Sequence, residues 1–309
     1  MVSCLEEIVR KLNALLSYFR FILIHRNGGC TMPEQTAIPQ DVTIEEAKAM
    51  LARVRPDEIT VLDVRQDWEY EEFHLPGAKH VPLGDLDERL EEIPRDKPLL
   101  VYCLSGRRSA AAASLLSGKG YPTVLNLDGG VMAWTGATAV GAPQTGMRYF
   151  RGDEPPEEIL ALAFSMEREL GAFYLGLARS AESLDLRTTF ERLAGFEEKH
   201  KLVVYHLYKS LFPQSAGIGE LETRATAKIL EGGRDADEIL ADVKGFPSPR
   251  EALDMAMGVE AQALDLYMRY AEVAAGPEAK AVLQDLAKEE LGHLRALATL
   301  MDRLGGRRE

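Results

Sequence analysis

Cysteine is scarce in this sequence: three among 309 residues, at positions 4, 30 and 103. So few and so scattered, they exclude a disulfide scaffold and fit a reducing compartment, which makes the cytoplasm the expected location. They also exclude a four-cysteine zinc or rubredoxin-type iron centre within one chain. Basic excess is missing as well. Lys plus Arg is 36 against 49 Asp plus Glu, a formal net charge of −13, with no basic tract, so nucleic acid is not an expected partner. No apolar run reads as a membrane span. What is there is a globular balance, 46% hydrophobic and 28% charged residues, in a chain long enough for two domains.

Residues 1–40 read as an N-terminal extension. Leu5, Ile8, Val9, Leu12, Leu15, Leu16, Phe19, Ile22 and Leu23 recur at helical spacing, which predicts an amphipathic helix over 3–25. Glu6, Glu7, Arg10, Lys11 and Arg20 interrupt it, which speaks against a membrane span or a signal peptide. The helix reads either as a docking element or as a loosely attached extension, and Met32 offers an alternative start.

Residues 41–140 alternate strands (Ile59–Val64, Leu99–Cys103, Thr123–Leu127) with helices (Ile44–Arg53, Leu86–Glu92, Ser109–Ser117). That alternation predicts an α/β domain with a mainly parallel sheet. The informative stretch follows the second strand: Cys103-Leu-Ser105-Gly106-Arg107-Arg108-Ser109, then alanines. A strand ends at a thiol, a short loop with glycine and two arginines follows, and a helix begins. Loop amides and a helix N-terminus form an anion nest. Together with the guanidiniums they lower a thiol pKa, so Cys103 is expected to be substantially thiolate near neutral pH. A phosphatase-type loop would carry arginine six residues after the cysteine, where this chain has Ser109; Arg108, one residue earlier, closes a tighter loop suited to a smaller anion.

These residues resemble a single-domain rhodanese, a sulfurtransferase. Cys103-Leu-Ser-Gly-Arg-Arg108 matches its Cys-x-x-Gly-x-Arg loop. Leu62-Asp63-Val64-Arg65, Trp68-Glu69-Tyr70 and His74-Leu-Pro76-Gly77-Ala78 resemble its first signature, and Leu127-Asp-Gly129-Gly130-Val-Met-Ala-Trp134 its last. The resemblance implies that Cys103 takes sulfane sulfur from a thiosulfate-type donor and passes it to a thiol or cyanide-like acceptor. Ser105, Gly106, Arg107 and Arg108 would line the donor site. Asp63 and Arg65 read as a pair steadying the loop, Pro76-Gly77 as a turn, Trp134 as core, and His74 and His80 as turn or surface residues.

Three prolines and three glycines over 141–156 mark a linker, and Pro155-Pro156-Glu157-Glu158 a helix start. Beyond it, residues 157–309 contain a repeat. Glu167 is followed by Tyr174, Glu197 and His200 at +7, +30 and +33; Glu260 is followed by Tyr267, Glu290 and His293 at the same intervals, 93 residues later. A lone Glu-x-x-His means little, but two inside one repeated constellation do not arise by chance. The gap of 30 fits an antiparallel helix pair whose turn lies near the midpoint, at Ser183-Leu184-Asp185 in one copy and Gly276-Pro277 in the other. A glycine-rich crossover over 214–248 separates the pairs, which predicts an all-α four-helix bundle of the ferritin-like di-iron type. Four carboxylates and two imidazoles offset two divalent ions and suit iron, with manganese the rival and zinc a substitute. Buried without metal, they would carry a severe desolvation cost. Tyr174 and Tyr267 read as partners standing behind the glutamate ligands. His206, Glu198 and Glu289 lie out of register and read as helix-surface residues.

This half resembles the rubrerythrin-like branch of the ferritin-like superfamily. Two departures stand out. Ala263 occupies a position where that branch often carries a further glutamate, and no rubredoxin module is present, which implies an external electron donor. The combined expectation is a sulfurtransferase fused to a di-iron oxidoreductase of peroxidase type, serving sulfur handling or oxidative-stress defence. The alternative is an iron-binding or storage protein that carries sulfur without turnover. A homodimer through the bundle fits either reading.

Overall fold

A computed structural model describes residues 38–215, 217–233 and 248–305. The helix expected over 3–25 lies outside the described residues. The first domain is a five-stranded parallel sheet in the order β1-β5-β4-β2-β3: β1 (Gln40–Val42), β2 (Thr60–Asp63), β3 (Lys79–His80), β4 (Leu99–Tyr102) and β5 (Val124–Leu127). Every residue of β2, β4 and β5 is buried, as expected for parallel strands covered on both faces. Three helices accompany them: α1 (Ile44–Leu51), α2 (Asp67–Glu72) and α3 (Arg107–Gly118). Thr43 and Glu46 start α1 with a reciprocal capping box, which satisfies two otherwise orphaned amides.

The expected strands and two of the expected helices are present. The helix expected over Leu86–Glu92 is not. That segment forms turns and a single 3-10 turn at Leu90–Glu92. Its Leu86 and the Ile93 that follows it are buried from irregular backbone, so their spacing reflects core contact rather than a helical face. The short β3 and α2 were not foreseen, because two and six residues carry too little periodicity to read.

Asp63, at the end of β2, pairs with the fully buried Arg65 through Nη2–Oδ2 at 2.7 Å. Arg65 also donates to the Phe73 carbonyl at 2.6 Å. The expected Asp63–Arg65 pair therefore exists, and it ties the sheet end to the segment following α2. Asp63→Ala would leave a buried guanidinium without its counter-charge. We expect a loss of about 3–5 kcal/mol, measured as a shift of the denaturant midpoint at unchanged slope.

The second domain is helical: α4 (Pro156–Ser180), α5 (Leu184–Leu211), α6 (Ile218–Arg224), α7 (Pro249–Val273) and α8 (Pro277–Gly305). Each long helix begins where the sequence supplies the chemistry. Pro156 and Pro249 sit in the first turns of α4 and α7; Ser183 and Ser248 accept from the amides of Leu186 and Glu251 at 3.1 and 3.3 Å. The turns fall at 181–183 and 274–276, on the expected midpoints. α4 packs on α5 and α7 on α8, around buried aliphatic and aromatic cores. Arg168 donates to the carbonyls of Ala225 and Ala227 at 2.7 and 3.4 Å and so fastens the crossover beside Glu167.

The linker is held against α7. Val140 donates its amide to Gln262 Oε1 at 3.0 Å, and Arg269 donates to the carbonyls of Thr145, at 3.0 Å, and Pro143. His74, expected as a turn or surface residue, is instead 1% exposed and faces Asp265 of α7 at 3.3 Å. A single sequence shows no such contact, because its two residues lie in different domains. Trp134 is partly buried, with Lys48 above its ring at 5.3 Å. No helix among the described residues is long and apolar enough to cross a membrane.

Candidate functional site

The thiol loop is built by the junction of β4 and α3. Cys103 follows the last residue of β4 and is 1% exposed, while Leu104 and Ser105 above it face solvent. Gly106 caps α3 at a left-handed φ of 89°, a turn that points successive amides inward. Burial alone pushes the Cys103 thiol up. The Ser109 hydroxyl and the amides of Ser109, Ser105 and Gly106 more than offset it, leaving the thiol below its ordinary value. The Ser109 Oγ–Sγ distance is 3.5 Å.

Arg108 is itself clamped, and its charged form is favoured by Glu69 and, more weakly, by Cys103. Its Nη1 and Nη2 donate to Glu69 Oε2 and Oε1 at 2.7 and 2.6 Å. Arg108 holds the Glu69 carboxyl below the usual range against the opposing effect of burial. Arg107 points to solvent at the mouth. Behind the loop, Val131 and Met132 donate their amides to the carbonyls of Cys103 and Leu104 at 2.9 and 3.0 Å. Gly130, at φ 59°, permits that approach: a Cβ there would lie 2.6 Å from the Leu104 carbonyl oxygen.

Sequence reasoning missed two residues here. Ser109 served only to mark loop length, yet its hydroxyl faces the sulfur. Glu69 lies 39 residues from Arg108, and its pairing is purely tertiary. We expect Ser109→Ala to move the pH profile of Cys103 alkylation to higher pH, because a donor to the thiolate is removed. Alkylation rates across pH, read by mass spectrometry of the Cys103 peptide, check this.

The second site lies inside the bundle. α4 contributes Glu167, α5 Glu197 and His200, α7 Glu260, and α8 Glu290 and His293. The four glutamates are at most 2% exposed. His200 Nδ1 lies 2.8 Å from Glu197 Oε2 and 3.4 Å from Glu167 Oε2. His293 Nδ1 lies 3.0 Å from Glu260 Oε2 and 2.9 Å from Glu290 Oε2. The two imidazoles stack at 3.2 Å, so both halves of the repeat meet at one level. Ligand atoms of Glu167, Glu197 and His200 lie within 4.8 Å of one another, as do those of His200, Glu260 and His293. Gly171 of α4 lets α5 approach closely beside Glu197, where a Cβ would sit 3.3 Å from Glu197 Cβ.

Burial and then the mutual repulsion of neighbouring carboxylates push Glu197 and Glu290 well above the usual range. Glu260 is lowered despite burial, because His293 stands against it. Glu167 Oε2 is buried and, among the described residues, accepts no hydrogen bond. An under-satisfied carboxylate oxygen in a cluster of four acids and two imidazoles fits divalent cations.

Comparison with known proteins finds two family models along the chain. The rhodanese-like domain family model matches residues 43–137, and the rubrerythrin family model matches residues 158–236 and 251–309. The putative sulfurtransferase YtwF of Bacillus subtilis (strain 168) is 40% identical over 82 residues, covering 26% of this chain and 79% of YtwF. The chain belongs to the rhodanese family. The thiosulfate sulfurtransferase GlpE of Coxiella burnetii (strain RSA 331 / Henzerling II) is 37% identical over 81 residues, 26% of this chain and 76% of GlpE. The putative sulfur carrier protein YrkF of Bacillus subtilis (strain 168) is 36% identical over 114 residues, which are 37% of this chain; the chain spans 60% of YrkF's length.

The rhodanese domain holds the thiol loop and the rubrerythrin domain the carboxylate–histidine cluster. Around the cluster, Tyr174 and Tyr267 are fully buried in the two helix cores, and the Tyr267 hydroxyl reaches Met166 Sδ at 3.7 Å. Ala263 is buried on α7, His206 and Glu198 are exposed, and Glu289 is half-buried.

Proposed function

We propose that the rhodanese domain transfers sulfane sulfur through a persulfide on Cys103. The observation that carries this reading is the ring of donors around its sulfur: the Ser109 hydroxyl and three loop amides, with Arg108 beside them. The thiolate attacks the outer sulfur of a thiosulfate-type donor. A Cys103 S–S bond forms, the donor S–S bond breaks, and sulfite leaves with the electron pair. A thiol or cyanide-like acceptor then attacks the outer sulfur and regenerates the thiolate. No general base is required, because the nucleophile reacts as a thiolate, which the surrounding donors favour. The amides stabilise the anionic persulfide, and Arg108, held by Glu69, draws the anionic donor. Arg107 adds positive charge at the mouth. The sulfurtransferase names of YtwF and GlpE support this reading.

In the rubrerythrin domain, Glu167, Glu197, His200, Glu260, Glu290 and His293 would hold two iron ions, with manganese or zinc as substitutes. Such ions supply two-electron chemistry toward peroxide or oxygen when an external donor provides the electrons. The protein's own part is to hold four carboxylates and two imidazoles at one level of a water-poor bundle. Tyr174 and Tyr267 would support the glutamate ligands from behind. A cytoplasmic role in sulfur handling or oxidative-stress defence accommodates both sites, and the bundle offers a surface for a homodimer. The alternative is an iron-binding protein that carries sulfur without turnover, which the name of YrkF favours.

One experiment separates them. The full chain is supplied with thiosulfate and excess cyanide, and separately with peroxide and a reductant. Many turnovers of thiocyanate and peroxide support the enzyme. Release of a single equivalent followed by arrest supports the carrier.

A further inference from the structure

Asp265 of α7 is fully buried where the two domains meet, five residues beyond Glu260 on the same helix. Its carboxylate meets three groups at close range. Arg269, one turn away, reaches Oδ2 at 2.7 Å; the Gly77 amide donates to Oδ1 at 2.9 Å; and His74 Nε2 lies 3.3 Å from Oδ1. Two of the three come from the other domain. A buried carboxylate without its partners is costly, so α7 requires the 74–77 segment in place. The same segment is fastened to the thiol loop. His74 Nδ1 donates to the Tyr70 carbonyl at 2.9 Å, and its ring stacks on Tyr70 at 3.8 Å with planes 5° apart. Tyr70 neighbours Glu69 on α2, and Glu69 clamps Arg108 beside Cys103. Between the two anchors, Leu75 donates its amide to the Tyr102 hydroxyl at 3.1 Å, and Tyr102 directly precedes Cys103. Both ends of the segment thus rest on Asp265, while its middle and the preceding helix hold the two sides of the reacting sulfur.

We propose that Asp265 is a positioning residue for the sulfur-transfer loop, acting from the rubrerythrin domain through the His74–Gly77 segment on Arg108 and Cys103. The proposal rests on the sulfurtransferase reading of Cys103. Asp265→Asn keeps the size and an acceptor for the Gly77 amide but removes the charge that faces His74 and Arg269. The segment loosens, and Arg108 loses its fixed place.

The test uses the full chain. Asp265→Asn is expected to raise KM for thiosulfate about tenfold, with a smaller change in kcat, and to slow iodoacetamide alkylation of Cys103 by about threefold. Because Asp265 acts partly through Glu69, the double variant Asp265→Asn/Glu69→Gln should raise KM by less than the product of the single effects. Glu272→Ala removes the exposed Lys79–Glu272 contact of the same interface and should leave KM unchanged. His74→Gln opens the contact from the other side and serves if Asp265→Asn does not fold. An unchanged KM and alkylation rate in a folded variant, even with a lower melting temperature, overturns the proposal, as does a double variant at the full product. If the wild-type chain transfers no sulfur from thiosulfate, the sulfurtransferase reading fails separately. Alkylation at Cys103, read on its own peptide because Cys4 and Cys30 are also present, still decides the positioning role.

Discussion

Replacing Cys103 with serine is expected to remove sulfur transfer from thiosulfate to cyanide by on the order of a thousandfold or more. The reason is specific to this loop. Its amides, the Ser109 hydroxyl and Arg108 are arranged around a large anionic sulfur. A serine hydroxyl at the same place is not ionised near neutral pH and forms no S–S bond. The change also leaves the fold intact, because serine is close in size to cysteine and the loop backbone is held independently. Val131 and Met132 keep the carbonyls of residues 103 and 104 in place at 2.9 and 3.0 Å whatever the side chain. The assay is thiocyanate formation by the full chain. The circular dichroism spectrum should be unchanged.

The second large effect is on metal content. Wild-type protein purified without oxygen from iron-replete cells is expected to hold about two metal ions per chain, and Glu290→Ala to hold less than about half that amount. Glu290 lies 2.9 Å from His293 and is pushed well above the usual carboxylate range by burial and by Glu260 and Glu167. Its removal would delete one of the six proposed ligands and also ease the repulsion among the remaining acids. The apo variant should therefore be no less stable than the apo wild type, while the difference between the metal-loaded proteins should be large. Elemental mass spectrometry gives the first quantity and paired melting curves with and without chelator give the second.

Much of this was legible in the sequence, for physical reasons. The carboxylate–histidine cluster could be read because helix geometry is periodic. A hairpin with its turn at 181–183 must bring residues 167 and 197 to one level, and the second copy repeats the intervals. The thiol loop could be read because a strand end, a glycine and a helix start are local signals that fix where amides point. What could not be read depends on residues far apart in sequence. Glu69 on Arg108, His74 on Asp265 and Gln262 on Val140 are tertiary contacts, and none has a periodic or compositional trace. The failed helix over Leu86–Glu92 shows the converse. Buried Leu86 and Ile93 carry apolar spacing, and Asp85 even offers a helix start, but no sustained apolar face follows, and the core takes them from turns. Pro76-Gly77 reads as a turn because its turn chemistry is plain, whereas the burial of His74 is supplied by another domain.

Sulfur transfer through Cys103 is read most directly from the mass of its peptide after the full chain has been treated with thiosulfate in the absence of acceptor. A persulfide on Cys103 gives a gain of one sulfur atom on that peptide, removed by cyanide with release of an equal amount of thiocyanate. Sulfur found on Cys4 or Cys30 instead, or no gain on Cys103 while thiocyanate still forms on adding cyanide, would contradict it.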